Sequence, residues 1–178
     1  LDLAQFPDEI LVYGSGYIAL EFAGIFHGFG AKTHLVYRSD LPLRGFDDDV
    51  RAHIAVALAD RGITLHSGST IDKVSANGAR KQVTLSSGAT LSVDALMAAT
   101  GRRPKTDGLG LDEVGVTCGQ QGNIIVDAES RSSVPSIFAI GDVTNRINLT
   151  PVAIAEGHAF ADSESVSYTH LRAHETVR

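Results

Sequence analysis

The chain has 178 residues and 18.8 kDa, enough for one large domain or one small domain with part of another, and long enough to bury a core without disulfide staples. Its apolar fraction of 43% and charged fraction of 20% exclude a disordered chain. A net charge of −6 gives no support to a nucleic-acid or anionic-membrane partner. No apolar run approaches membrane length, and the first residues carry no signal-peptide pattern.

The ends suggest a piece of a longer protein. Residue 1 is leucine and the only methionine is Met97. Val166–Thr176 resembles the in-frame translation of a transposon-end sequencing adapter, so Glu164–Arg178 is expected to be a non-native tail.

In chain order, Ile10–Tyr13 is a short apolar run that stops at Gly14-Ser15-Gly16, as a buried parallel strand does at a turn. Tyr17–Phe26 places apolar side chains at helical spacing, and Gly28 and Gly30 stop it. Lys32–Tyr37 reads as a second strand, which completes one βαβ crossover. Asp47–Arg61 predicts a helix with an acidic first turn and Val50, Ile54 and Leu58 as its apolar stripe.

Ile63–Leu65 follows as a strand. Thr70–Val74, Gln82–Leu85 and Thr90–Val93, separated by Asn77-Gly78 and Ser87-Gly88, predict an antiparallel meander. Ala95–Ala99 returns as an apolar strand. Beyond Pro104, Ile124–Val126 and Ile137–Ile140 read as strands. Thr150 as N-cap and Pro151 as first helical residue open a last helix to about Asp162.

The expected fold is α/β: a three-layer Rossmann-like nucleotide-binding domain with a parallel sheet and an antiparallel β-meander. It covers residues 1–102, and residues 103–163 form part of a second domain.

Gly14-x-Gly16-x-x-Ala19 lies between a strand and a helix, the context of a dinucleotide fingerprint. Gly14 permits the tight turn, Gly16 lets backbone approach a pyrophosphate, and the helix N-terminus receives the negative charge. NAD-binding units present an acid at the end of the second strand to accept from the ribose hydroxyls. Here that strand ends at Arg38, with Arg44 six residues on.

Two guanidiniums suit a 2′-phosphate, which a carboxylate would repel. The pair could supply roughly 2–4 kcal/mol, about 30- to 1000-fold preference for NADPH over NADH. Asp40 lies between them and counts against this. Gly141-Asp142 at a strand end fits either a polyol-binding acid or a turn cap. The Leu149-Thr150 helix start could face an electron-rich ring.

Five segments carry a resemblance: GSGYIALEFAGIF, LVYRSDLPLRGFD, ATGRRP, SIFAIGDV and LTPVAIAEGHAFADS. Together they resemble the pyridine-nucleotide disulfide oxidoreductase family, on the branch that reduces glutathione disulfide, over about Phe6–Ser163. The resemblance implies that Gly14, Ser15, Gly16, Tyr17 and Ile18 line an NADP(H) site, with Tyr17 gating the nicotinamide pocket. It implies that Glu21 lies near the carboxamide, that Arg38 and Arg44 hold the 2′-phosphate, and that Gly101 and Arg102 contact the dinucleotide.

Ala19 and Ala23 match the alanines that accompany NADP preference. Gly141 and Asp142 would bind FAD through its ribityl chain, and Leu149-Thr150 would point a helix at the flavin. The implied parent enzyme is a cytoplasmic homodimer acting on glutathione disulfide. The family's first flavin-binding half with its CxxxxC disulfide, and its interface domain with the catalytic His–Glu pair, have no counterpart in this sequence. The chain by itself is therefore expected to bind NADPH without turnover. Cys118 matches no catalytic motif, and the histidines lack ligand spacing.

Overall fold

A computed structural model describes residues 3–165; the adapter-like stretch from Val166 lies outside the described residues. The chain divides into two compact units between Gly101 and Arg102.

In the first unit, β1 (Glu9–Tyr13), α1 (Tyr17–Gly28), β2 (Lys32–Val36), α2 (Asp48–Asp60), β3 (Thr64–His66) and β7 (Ala95–Ala98) form the nucleotide-fold part. Their four strands make a parallel sheet in the order β3-β2-β1-β7. The meander β4 (Ile71–Asn77), β5 (Arg80–Leu85) and β6 (Thr90–Val93) forms a separate antiparallel sheet.

The pleat of β1 explains the layers. Ile10 and Val12 point to one side, where they pack with Ala19, Leu20, Ala23 and Phe26 of α1 and Leu58 of α2. Leu11 points to the other, against Val83, Leu85 and Val93 of the meander. Strands buried on both faces read as the continuous apolar runs seen in the sequence. Helices, parallel sheet and meander are the three layers expected.

Asp47 caps α2, its carboxylate accepting from the N–H groups of Asp49 and Val50. The expected stripe of that helix is wrong at its first position. Val50 is 50% exposed, and Arg51 begins the inward face that continues through Ile54 and Leu58. The inward position goes to Arg51, whose guanidinium meets the carbonyls of Leu41 and Pro42.

The second unit contains a 3₁₀ turn (Gly141–Thr144) and α3 (Thr150–Ser165) around a small core of Val116, Ile124 and Ala139. Ile124–Val126 and Ile137–Ile140 are not strands. Each run makes a single bridge, Cys118 with Ile124 and Arg131 with Phe138. Their backbone bonds go to scattered partners instead of a ladder: Ile124 N–H to Val143, Ile125 N–H to Thr117 and Ala139 N–H to Ser130. Thr150 lies inside α3 rather than at its cap, since the Leu149 carbonyl accepts from Ala153 N–H at 3.0 Å. Among the described residues no helix is long and apolar enough to cross a membrane.

Candidate functional site

The order β3-β2-β1-β7 sends the chain from β1 to one neighbour and brings it back later on the other side. Ligands of open α/β sheets bind outside the carboxyl ends of the strands at such a switch point. Gly14 stands there, following β1 directly. Its N–H donates to the Val36 carbonyl at 2.9 Å, and the Ala99 N–H donates to Tyr13 at 2.7 Å.

Gly14 has φ +143°, and a Cβ would collide with the Ala99 carbonyl oxygen. Gly16 differs. Its φ of −78° suits any residue, yet a Cβ there would meet no atom within 4 Å. The second glycine is thus not required by the protein's own packing, and it keeps open a space that a ligand can enter. No side chain caps α1 at Gly16, so the positive end of the helix faces that space.

Tyr17 is 40% exposed on the first turn, and Glu21 is exposed one turn further along. Ser15 and Ile18 are partly buried, while Ala19 and Ala23 are fully buried against the sheet.

The loop after β2 meets the glycine turn. Leu43 N–H donates to the Ser15 carbonyl at 2.7 Å, which brings Arg44 beside the turn. Leu43 holds a left-handed φ of 53° with its side chain buried. Arg38 and Arg44 are both exposed, and among the described residues neither makes an ion pair or hydrogen bond. Asp40 pairs with neither.

Sequence reasoning passed over a third arginine. Arg51 of α2 donates from Nε to the Pro42 carbonyl at 2.8 Å and from Nη2 to the Leu41 carbonyl at 3.3 Å. A charged residue on an otherwise inward helix face was the available signal.

Of the remaining expected residues, Gly101 ends the first unit and the others lie in the second. Arg102 Nε lies 3.6 Å from Asp142 Oδ2, so the two pair with each other. Gly141 has φ +69° and packs under Ala153 of α3, where a Cβ would approach Ala153 Cβ to 3.1 Å. Gly101 is exposed with φ +136°, and Leu149 and Thr150 are exposed at the start of α3.

The organiser of this turn is Glu156, also missed from sequence. It is 5% exposed, accepts from Gly141 N–H at 2.6 Å and pairs with Arg146 at 3.2 Å. Glu156→Ala would leave both donors without their acceptor. It should destabilise the second unit by about 1–3 kcal/mol in chemical denaturation, with Glu156→Gln costing less. A loss under about 0.5 kcal/mol would contradict that role.

Residues 1–157 match the model of the pyridine nucleotide-disulphide oxidoreductases. The chain belongs to that family. It is 51% identical over 162 residues to a glutathione reductase of Burkholderia cepacia, covering 91% of this chain and 36% of that protein. It is 45% identical over 165 residues to a trypanothione reductase of Trypanosoma congolense, covering 90% and 34%.

Among solved structures, the HOCl-induced flavoprotein disulfide reductase RclA of Escherichia coli superposes with a TM-score of 0.85 at 29% identity. That match covers 95% of this chain and 39% of the other. The chain therefore spans about a third of the length of the family members it matches.

Proposed function

We propose that this chain is the NADPH-binding segment, with part of the FAD-binding segment, of a flavin-dependent reductase of glutathione disulfide. NADPH bound there would be the hydride source and FAD the electron carrier for reducing a disulfide in the whole enzyme.

The chain's own residues bind and orient. Gly14 turns the backbone, and the space before Gly16 admits the pyrophosphate to the positive end of α1. Tyr17, exposed on the first helical turn, would cover the nicotinamide and exclude water. Glu21 would hold the carboxamide. Gly101, which ends the first unit, and Arg102, which begins the second, would contact the dinucleotide; Gly141 and Asp142 would contact FAD, with Leu149-Thr150 presenting a helix start to the flavin. The parent enzyme would be a cytoplasmic homodimer. With one cysteine in the sequence, this chain cannot form a dithiol pair, so NADPH oxidation with glutathione disulfide is not expected of it alone.

One observation carries the reading: two exposed guanidiniums, without partners among the described residues, stand in the loop pinned to the glycine turn, where NAD-binding units have an acid. An arginine fork matches a phosphate bidentately. Arg38→Ala and Arg44→Ala should each weaken NADPH binding about 5- to 30-fold, or 1–2 kcal/mol after solvent screening. NADH binding should stay the same. Calorimetric titration of the purified chain checks this, and equal affinity of the wild type for both nucleotides would refute the phosphate assignment.

A further inference from the structure

We infer that Arg51 is a positioning residue for phosphate selection, holding the Arg38–Arg44 loop in its binding shape without touching the ligand. The inference rests on the 2′-phosphate reading above.

Three consecutive residues of the loop are fixed from outside it. The carbonyls of Leu41 and Pro42 accept from Arg51, and the N–H of Leu43 donates to Ser15. Ser39 Oγ adds a second donor to the Leu41 carbonyl at 2.7 Å. Arg44 follows this clamped triplet directly, and Arg38 precedes it by three residues.

All three guanidinium nitrogens of Arg51 are committed, because Nη1 pairs with Asp48 one helical turn back. Its side chain is only 18% exposed. Three of its five N–H donors, one at each nitrogen, are thus spent on the protein, and what they hold is the loop.

That contribution is specific to arginine. A planar fork can reach two adjacent carbonyls and a carboxylate at once, whereas a lysine ammonium is a single point donor on a flexible stem. Leu43 adds a reason for the clamp: its left-handed backbone is costly for a residue with a side chain and persists only where surrounding contacts enforce it. Releasing Leu41 and Pro42 would let Leu43 relax, and Arg44 would move with it. A loosened loop must then be ordered by the ligand, which lowers affinity for whatever that loop binds.

The test uses the purified chain titrated with NADPH, NADH and adenosine 2′,5′-bisphosphate. Arg51→Ala should weaken NADPH and the bisphosphate about 5- to 20-fold and leave NADH within about twofold. Arg51→Lys should recover less than half of that loss on a logarithmic scale. A merely structural residue would weaken NADPH and NADH together, so an unchanged NADPH-to-NADH affinity ratio overturns the inference. Should Arg51→Ala fail to fold, the same ratio in Arg51→Lys decides it. If Arg38→Ala and Arg44→Ala shift the ratio and the Arg51 variants do not, the inference fails while the phosphate reading stands. If none of the four shifts it, the phosphate reading fails as well.

Discussion

Gly14→Ala is expected to lose about 2–5 kcal/mol of stability, while Gly16→Ala, two residues away, keeps the fold and loses the ligand. At Gly14 two penalties add. A side chain at positive φ costs about 1–2 kcal/mol, and forcing a methyl into packed structure costs about 1–3 kcal/mol more. The atom it meets is the backbone oxygen of Ala99, which cannot swing aside because Ala99 is tied to Tyr13 by its own N–H. Against a typical total of about 5–15 kcal/mol, that loss is large.

At Gly16 neither penalty applies, since φ is −78° and the Cβ position is empty. Replacing glycine there should leave stability unchanged or raise it by up to about 1 kcal/mol, through the lower entropy of the unfolded chain. The same methyl occupies the space assigned to the pyrophosphate, so NADPH should bind more than about tenfold more weakly, above 1.4 kcal/mol. Urea denaturation and nucleotide titration of the two variants give four numbers. A Gly16→Ala chain that binds NADPH as wild type would remove the second glycine from the site. A Gly14→Ala chain within about 0.5 kcal/mol of wild type would show that the turn can bend.

Most of the first unit was readable because its elements report their own burial. Leu11 and Val12 lie on opposite faces of one strand, and both faces are covered, so the run Ile10–Tyr13 is apolar throughout. The glycine turns at Asn77-Gly78 and Ser87-Gly88 likewise mark strand ends by backbone needs alone, with Gly78 at φ 62° and Gly88 at φ 84°. What failed was any inference requiring knowledge of the neighbour.

Ile124–Val126 has strand composition, but a strand needs a partner of matching length, and the nearby chain offers single bridges. Val50 had the right period and lost its place to Arg51, because the adjoining surface is a row of carbonyls. Glu156 is one of three acids in its helix, and only the fold reveals that its carboxylate accepts from Gly141 N–H. At the site, residue types that suit phosphate were visible in order along the chain. The bond from Leu43 to Ser15, which joins the two halves of that pattern, was not.

Glu9→Ala should cost about 2–4 kcal/mol, and the stability it removes should depend on acid pH. Glu9 starts β1, at the end opposite the glycine turn, and ties the two sheets of the first unit together. Its carboxylate accepts from Lys32 at 2.8 Å and His34 at 3.0 Å on β2, and from Arg80 on β5 at 2.6 Å. Arg80 also lies 3.4 Å from Asp94, whose other oxygen accepts from Glu9 N–H at 2.8 Å. Removing the anion takes this acceptor from Lys32, His34 and Arg80 at once and leaves Arg80 with Asp94 and Ser92 alone, and breaking a partly buried pair from one side is the costly case.

Burial alone would raise the carboxyl's pKa. The hydrogen bonds from Lys32, His34 and Arg80 and the Lys32 charge outweigh that and hold it at about 2, against an ordinary 4.5. A carboxyl depressed in the folded state stabilises above its unfolded value, and that contribution is lost as pH falls from about 4.5 towards 2. At 1.36 kcal/mol per unit the shift corresponds to roughly 3 kcal/mol, nearer 1–2 after screening by the water around Lys32 and Arg80.

His66 acts in the same direction at higher pH. Burial, and then the neighbouring His34, lower its pKa from 6.5, so its protonation also opposes folding as pH falls below that value. Glu9→Gln keeps the side chain's size and removes the lower of the two windows. Urea unfolding between pH 2.5 and 7 should therefore show a smaller loss below about pH 4.5 in Glu9→Gln than in wild type, with the change near pH 6.5 retained. Parallel curves for the two proteins through the acid limb would mean that Glu9 does not hold the sheets together by charge.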